Sequence, residues 1–287
     1  MKRRHFLGAS ALFVTSPSLA QTPAPKALAD YENRTGGHIG FFAQNVVTGA
    51  SLGWRASERF VMCSTFKASL AACVLSRIDQ GHDTLEATLP FSAADIKDFY
   101  APVAKANLAR GSLTLRDLCA GAVEQSDNVC ANLLLTHIGG PSALTAFWRA
   151  LGDTTTRLDA YEPELNRTPL GRLENTTTPT AMTSVLRAIT LGPALSAPSR
   201  ALLVQWMIAC QTGTHRLRAG LPKHWVVGDK TGNNGKDAAG DIAVIWAKSD
   251  TPLLVSAYTR GGKPTETDFA TAFAAIGSLV ASRLAGV

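Results

Sequence analysis

Runs of β-branched and aromatic residues lie near both ends of the chain and predict strands there. Residues 38–47 are rich in Ile, Phe and Val, a Thr-Gly turn follows them, and residues 51–55 form a second short run, which together predict a β-hairpin. Three further strands are predicted near the C-terminal end, at residues 225–230, 241–248 and 253–260. Helical patterns at 27–35 and 266–284 flank these strands on either side.

The middle of the chain has helical periodicity. From about residue 64 to residue 210, apolar residues recur mostly at steps of three and four. The first such stretch runs from Phe66 to Ile78, and Gly81 supplies a stop. Capping or proline signals indicate later helix starts at Thr114, Pro141, Thr178 and Ser196. Residues 158–177 form a long non-helical connection, which in a compact domain is usually functional or mobile.

This order of elements predicts an α/β protein of the α+β type. The hairpin and the C-terminal strands would form one antiparallel sheet flanked by the terminal helices, spanning residues 21–58 and 209–287. Residues 59–208 would form an all-helical domain inserted into it. The cleft between the two is the expected ligand site.

Residues 1–20 have the features of an export signal. A basic start precedes an apolar stretch at 6–14, and Ser18-Leu19-Ala20 fits a small-x-small cleavage site. The Arg3-Arg4 pair resembles the twin-arginine type of bacterial signal, with an ordinary signal that carries two arginines as the alternative. The apolar stretch is too short to span a bilayer, which needs ~20 residues. We therefore expect a soluble periplasmic protein, with no stable membrane insertion, that starts at Gln21 after cleavage.

Composition excludes several classes of function. The chain has 287 residues, of which 46% are hydrophobic and 17% charged, as in soluble globular proteins. Loss of the three basic residues of the signal lowers the net charge from +6 to +3, and no dense basic run remains, so no nucleic-acid partner is predicted. The six histidines lack metal-ligand spacing, so neither a metal nor another cofactor is predicted. Five cysteines without a C-x-x-C pair do not make a disulfide scaffold, although one bridge stays open.

The first candidate for chemistry is Ser64 with Lys67, in the segment Cys-Ser-Thr-Phe-Lys. A serine in the first helical turn and a lysine three residues later share one helix face, so the amine can reach the hydroxyl. A serine hydroxyl needs such a neighbouring base to become a nucleophile. The alternative is a capped helix start with a solvated lysine.

Three more clusters lie where the cleft is expected. The clusters are Ser126-Asp127-Asn128, Glu162-Pro163-Glu164-Leu165-Asn166 and Lys230-Thr231-Gly232. The ordinary alternative for the first is a helix break with an N-cap, for the second solvated acids in a loop, and for the third a strand that ends in a turn. With Ser-x-x-Lys before them, the four motifs in this order resemble those of the class A serine β-lactamases. The resemblance covers essentially the whole mature chain and implies the fold shared by serine β-lactamases and penicillin-binding proteins.

The resemblance implies hydrolysis of β-lactam antibiotics through an acyl-enzyme, and hence β-lactam resistance. Ser64 would attack the lactam carbonyl, and Lys67 and Glu162 would share removal of its proton, the acylation base being disputed for the family. Glu162, with Asn166 holding a water, would then hydrolyse the ester. Ser126 would pass a proton to the departing lactam nitrogen.

The resemblance also implies how a β-lactam is held. Lys230 lies near Ser126 and, with Thr231, would receive the substrate carboxylate, while Asn128 would bond the side-chain amide. The backbone N–H groups of Ser64 and Asn233, on either side of Gly232, would form the oxyanion hole.

Two outer residues complete the predicted site. Arg216 would add positive charge behind Lys230, with a surface arginine as the alternative. Tyr100 would form a wall of the entrance, with a partly buried loop tyrosine as the alternative.

The chain departs from the family pattern in the long loop and at its cysteines. Ala160 and Asn175 stand where relatives commonly carry an Arg–Asp pair, so we expect a more mobile loop and greater tolerance of bulky substrates. Cys119 matches half of a disulfide of some relatives, but its partner position is Ala71, and we expect no bridge to Cys73. Cys63 has no partner because Asn234 occupies the second position of another known bridge, and it is expected to be a small buried residue.

Two other functions remain as alternatives. A penicillin-binding peptidase shares the serine and lysine motifs but lacks the loop glutamate, so Glu162 and Asn166 argue against it. A non-catalytic binder of penicillin-like ligands is disfavoured by the intact motifs. The expected partner is therefore a small-molecule β-lactam, and the expected assembly is a monomer.

Overall fold

The computed structural model describes residues 24–247 and 251–285. The predicted export signal, and residue 248 at the end of a predicted strand, lie outside the described residues. Ten α-helices are present in this part of the chain: α1 Lys26–Thr35, α2 Phe66–Asp79, α3 Ala93–Ile96, α4 Pro102–Ala106, α5 Leu115–Glu124, α6 Asn128–Ile138, α7 Pro141–Ala150, α8 Pro179–Thr190, α9 Ala197–Ile208 and α10 Glu266–Leu284. Nine strands accompany them: β1 His38–Asn45, β2 Ser51–Trp54, β3 Phe60–Val61, β4 Thr88–Pro90, β5 Ser112–Thr114, β6 Thr176–Thr177, β7 Val226–Asn233, β8 Ala239–Trp246 and β9 Pro252–Arg260. Among the described helices, none has the length and apolar character to cross a membrane.

The hairpin and the C-terminal strands form one antiparallel sheet of five strands in the order β2-β1-β9-β8-β7. Alternate residues of β8 point to opposite faces. Ile242 and Val244 pack against the helices of the middle segment, whereas Ala243 and Ile245 pack under α1 and α10. The predicted α+β architecture is thus confirmed, and the boundaries of its two predicted domains stay a prediction.

Helix α2 lies at the centre of the helical part. Every residue from Phe66 to Leu75 is buried, so this helix is enclosed on all sides and carries no polar face over that length. It packs against α5, α6, α8 and α9. A 3₁₀ turn, Cys63–Thr65, joins β3 to α2 and contacts β7 and β8, so the Ser-x-x-Lys motif lies at the start of α2 between the sheet and the helices.

The helix starts predicted from capping signals are present where expected. At Thr114, Thr178 and Ser196 a side-chain oxygen accepts a hydrogen bond from a backbone N–H of the first turn, whereas the helix that starts at Pro141 follows Gly140 and has no side-chain cap. Asp127 and Thr265 cap two further helices in the same way. Side-chain capping is a local property, which explains why the sequence predicts these starts well.

Two predicted boundaries were wrong. Ser64 lies in a 3₁₀ turn, Cys63–Thr65, that leads into α2 instead of in the α-helix itself. Strand β7 does not end at Lys230 but continues to Asn233, because β8 pairs with it as far as Asn233 opposite Ala239. The Lys-Thr-Gly motif is therefore a stretch of ordered strand at the sheet edge, not a turn.

Candidate active site

Ser64 is positioned by a tight crossing of two backbone segments. Cys63 before it has a positive φ of 46°, which turns the chain from β3 into the 3₁₀ turn. A Cβ at Gly232 would lie 2.8 Å from the Ser64 nitrogen and 2.9 Å from the Met62 carbonyl oxygen. Only glycine therefore lets β7 lie this close to the serine backbone. The Ser64 hydroxyl donates a hydrogen bond directly to Glu162 Oε1, at 2.9 Å.

Lys67 is completely buried and surrounded by three acceptors. Its Nζ lies 2.6 Å from Asn128 Oδ1, 2.9 Å from the Ser126 carbonyl oxygen and 3.2 Å from Glu162 Oε1. Three acceptors match the three N–H groups of an ammonium ion. The expectation that this amine contacts the Ser64 hydroxyl is not met, because within the described residues Ser64 bonds Glu162 instead. As arranged here, Lys67 is the cation that holds the carboxylate beside the serine.

Glu162 reaches the floor of the cleft from the long loop, 98 residues after Ser64. Its backbone is fixed by Asn132 of α6, whose side chain accepts from Glu162 N and donates to Glu162 O, both at 3.0 Å. Asn166 Nδ2 donates to the other carboxylate oxygen, Oε2, at 2.6 Å. Sequence reasoning did not assign Asn132 a role, although it lies four residues after Asn128 and hence on the same helix face.

Ser126 links the two lysines of the site. Lys230 Nζ donates to Ser126 Oγ at 3.0 Å, and Lys67 Nζ lies 3.5 Å from the same oxygen. The positive φ of Ser126, 58°, is supported by Asp127, whose buried carboxylate accepts from three backbone N–H groups. Like Asn132, Asp127 has a structural role that the sequence did not reveal.

Lys230 is fully buried in β7, beneath the cleft. Burial lowers the pKa of its ammonium group to about 8, and the nearby charge of Lys67 acts in the same direction. Its Nζ also donates to the Thr231 carbonyl oxygen at 2.8 Å. The Thr231 hydroxyl lies 2.5 Å from that of Thr212, a site residue that sequence reasoning missed because nothing in its local pattern marks it.

Arg216 is buried behind β7 and is not a surface arginine. Its Nη1 donates to the carbonyl oxygens of Gly232 and Gly240, at 2.9 and 3.0 Å, and its guanidinium lies over the ring of Phe273. It therefore ties β7 to β8 while it adds positive charge behind the Lys-Thr-Gly stretch.

The remaining predicted residues lie at the mouth of the site. Tyr100 is 59% exposed, and its carbonyl oxygen accepts from Asn128 N. Asn233 ends β7 and donates from its side chain to Glu266 at 2.8 Å. A cleft of about 340 Å³ is lined by all the predicted site residues except Lys67 and Lys230, which are buried beneath it. The structure thus brings the whole predicted set together.

The neck of the long loop is closed by hydrogen bonds between Asn175 and the segment Asp159-Ala160. Asn175 Oδ1 accepts from the N–H groups of Asp159 and Ala160, at 2.8 and 3.0 Å, and Asp159 Oδ2 accepts from Asn175 N at 3.0 Å. Asn175 also donates to Thr168 within the loop. The Arg–Asp pair of relatives is absent, but these hydrogen bonds close the same neck. The missing pair is therefore no longer a reason to expect a more mobile loop.

Replacing Asn175 by Gly is expected to loosen the loop. Glycine tolerates the left-handed backbone of this position, φ 57°, so the change removes the side-chain bonds without adding strain. Losing three side-chain hydrogen bonds of about 1 kcal/mol each should speed hydrogen exchange of the loop amides, residues 160–174, about tenfold or more. Glu164→Gln, at a 60% exposed side chain of the same loop, is the control, and unchanged loop exchange in Asn175→Gly would assign the loop's order to other contacts.

All five cysteines are free and buried. Burial raises the pKa of the Cys73 thiol to about 11 and raises those of Cys63 and Cys119 further. Buried thiols of this kind are protonated and unreactive at neutral pH. Across residues 24–247 and 251–285, no group of three or more His, Cys, Asp or Glu side chains is arranged to hold a metal ion.

Comparisons with known proteins agree on one family. Residues 23–284 match the profile of the "Beta-lactamase enzyme family". The chain is 41% identical over 273 residues to "Beta-lactamase L2" of Stenotrophomonas maltophilia, covering 95% of this chain and 89% of that protein. It is 43% identical to "Carbapenem-hydrolyzing beta-lactamase KPC" of Klebsiella oxytoca, covering 81% and 79%.

Solved structures show the same similarity in three dimensions. A β-lactamase from Xanthomonas campestris superposes with a TM-score of 0.86 at 42% identity, covering 90% of this chain and 96% of that one. An ancestral class A β-lactamase of Gram-negative bacteria superposes with a TM-score of 0.85 at 46% identity, covering 90% and 98%.

Proposed function

The chain belongs to the class A serine β-lactamases, and from this premise we propose which of its residues carry out each step. Members of this family hydrolyse β-lactams through a serine acyl-enzyme and confer β-lactam resistance, and so does this protein. The observation that carries the assignment of residues is the contact of Ser64 Oγ with Glu162 Oε1, at 2.9 Å, beside the ammonium of Lys67.

In acylation, Ser64 Oγ attacks the lactam carbonyl carbon while its proton passes to Glu162. The lactam C–N bond then breaks, and the nitrogen takes the proton of the Ser126 hydroxyl. Lys230, 3.0 Å from that oxygen, restores the proton and stabilises the charge that develops there. The direct Ser64–Glu162 contact favours Glu162 over Lys67 as the first proton acceptor in this chain.

Before deacylation, the proton that Glu162 accepted returns through Lys67 and Ser126 to Lys230, so that Glu162 is again an ionised carboxylate. Glu162 then takes a proton from a water that attacks the ester carbonyl carbon. The ester C–O bond breaks and Ser64 Oγ recovers a proton, which returns the enzyme to its starting state. Asn166 orients the carboxylate through its bond to Oε2, and with Glu162 it would hold the attacking water.

Substrate binding is proposed to use the strand β7 and the start of α6. The β-lactam carboxylate would lie against Lys230 and Thr231, with Arg216 behind them, and the amide of the acyl side chain would bond Asn128. The backbone N–H groups of Ser64 and Asn233 flank Gly232 and would receive the developing oxyanion; losing one such donor typically costs about 10²–10³ in rate. Tyr100 would form the outer wall.

The direct test is turnover of a chromogenic cephalosporin by the mature protein. We expect multiple turnovers per enzyme molecule, whereas a single stoichiometric burst would mean that the protein traps β-lactams. A penicillin-binding peptidase would likewise give the burst alone.

The activity is expected to fall above pH 8. Lys230 carries its positive charge below its pKa of about 8 and loses it as the pH rises through that value. The attraction for the substrate carboxylate then weakens, so kcat/KM should fall by up to about tenfold per pH unit above this point. Lys230→Arg keeps its charge, so the fall of kcat/KM should move to higher pH in this variant. If the fall stayed at the same pH, the titrating group would not be Lys230.

We also propose that residues 1–20 direct export to the periplasm, where the mature chain acts as a monomer. The family's export in bacteria and the basic, apolar and small-residue order of this segment support the proposal. An intact mass of periplasmic protein that begins at Gln21 would agree with it.

A further inference from the structure

A second cavity lies behind the long loop, outside the reaction cleft. Its volume is about 220 Å³, and it is enclosed by the outer part of the loop, residues 166–173, together with β3, the β7–β8 turn and the end of β9. Leu170 and Leu173 form one wall and are 74% and 49% exposed, which is unusual for leucines of a folded loop. Val61 and Ala238 extend this apolar surface.

The other wall carries positive charge. Arg59 donates to Thr176 Oγ1 at 2.9 Å, and no carboxylate lies within ion-pair distance of its guanidinium in the part of the chain that the structure describes. Arg260 donates from one terminal nitrogen to Glu58, but its Nε is buried and has no hydrogen-bond partner among these residues. Burial and the nearby Arg157 lower the pKa of Arg59, so its charge is poorly compensated where it stands.

The acids that line this cavity are Glu58 and Asp237. Glu58 accepts from Arg55 through Oε1 and from Arg260 through Oε2, both at 2.7 Å. Asp237 accepts from the Asn234 side chain at 2.9 Å, and Arg172, which also lines the cavity, pairs with Glu174. The cavity therefore combines an apolar wall with a guanidinium that lacks an anionic partner.

We propose that this cavity binds a small carboxylate with an apolar body, such as an aromatic acid. The carboxylate would accept from the Arg59 guanidinium, since guanidinium groups bind carboxylates through paired N–H donors, with the charge of Arg260 nearby, and the apolar body would cover Leu170 and Leu173. About 220 Å³ suits a single-ring molecule and excludes larger ligands.

Occupation would also brace the loop. Asn166 and Thr168 line the cavity, and Asn166 bonds Glu162 on the cleft side. A ligand that fills the space behind these residues stabilises the closed loop, because it binds that state and not an open one. An effect on turnover rests on the proposed function, whereas binding and loop protection do not.

Benzoate is the probe, and benzamide is its neutral counterpart. In a titration of ¹⁵N-labelled protein, benzoate should shift the amides of Gly171 and Gly261, which line the cavity, more than those of Gly232 and Gly235 in the cleft. Benzamide should bind at least tenfold more weakly. Amides of residues 168–173 should exchange more slowly with benzoate bound, and unchanged exchange would refute the bracing of the loop.

Two variants test the residues. Arg59→Gln keeps a donor for Thr176 but removes the charge, and Leu173→Ser alters the exposed apolar wall without disturbing the core; each should weaken benzoate binding at least fivefold. Arg187→Gln, an equal loss of charge on exposed α8, should change nothing. Equal binding of benzamide, full binding by Arg59→Gln, or shifts confined to Gly232 and Gly235 would each overturn the proposal.

Discussion

Glu162→Gln is expected to turn the enzyme into a β-lactam trap. The variant should open one β-lactam ring per enzyme molecule and then stall as the acyl-enzyme, with kcat about 10³-fold below that of the wild type, because general-base catalysis typically contributes 10²–10⁴. Mass spectrometry of the stalled protein should show one β-lactam added per chain. The acyl-enzyme accumulates because the water that must attack it has lost its base.

Glutamine suits this test better than alanine because it matches the size of Glu162 and can keep the hydrogen bonds of the carboxylate. Its amide oxygen can keep the bonds of Oε1 with Ser64 and Lys67. Asn166 Oδ1 has no hydrogen-bond partner among the described residues, so a turn of the Asn166 amide lets it accept from the new NH₂ group. The loss of rate can therefore be assigned to the missing base and not to a distorted loop.

Glu164→Gln is the matched control. Its side chain is 60% exposed and lies two residues along the same loop, paired weakly with Arg167 at 3.6 Å. It should turn over like the wild type. If Glu162→Gln also turned over at the wild-type rate, or if no adduct formed during its stall, Glu162 would not be the deacylation base.

The sequence predicted those parts of the structure that depend on neighbours along the chain. Helix starts follow from a capping side chain and the three residues after it, as at Thr178 and Thr265. The sheet followed from strand runs at both ends, and the four motifs indicated the cleft. Short strand pairs such as β3 with β6 were missed, because two residues carry no periodicity.

The contacts within the site depend on residues far apart in sequence and were predicted less well. Spacing correctly placed Ser64 and Lys67 together, but it did not show that the loop glutamate comes between the amine and the hydroxyl. The neck bonds of Asn175 escaped notice for a related reason. An asparagine in place of an acid indicates only that a charge is missing, whereas its hydrogen bonds depend on where the backbone of Asp159 runs.

Lys67→Met is expected to have the second large effect, on both stability and acylation. The side chains of Lys67 and Glu162 are both fully buried, so the change leaves a buried carboxylate without its cation. Breaking a buried ion pair from one side typically costs about 3–5 kcal/mol. For a chain of this size the melting temperature should fall on the order of 10 °C. Lys26→Met, at an 89% exposed lysine, should melt like the wild type.

The double variant Lys67→Met, Glu162→Gln separates the fold from the chemistry. Without the buried charge on either side, it should regain most of the stability that Lys67→Met loses, and a thermal melt or urea titration measures the coupling directly. Acylation should nevertheless stay about 10³-fold slow in both variants, because neither retains the ammonium that holds an ionised carboxylate against the Ser64 hydroxyl.

These results decide how the serine is activated in this chain. If Lys67 were itself the base, Glu162→Gln would acylate at the wild-type rate, and only the Lys67 variants would be slow in the burst. If Glu162 accepts the proton, as the 2.9 Å contact favours, the burst of Glu162→Gln is slowed too, though less than its deacylation. A Lys67→Met protein as stable as the wild type would mean that the Lys67–Glu162 ion pair adds no net stability to the fold, which would contradict the expected loss.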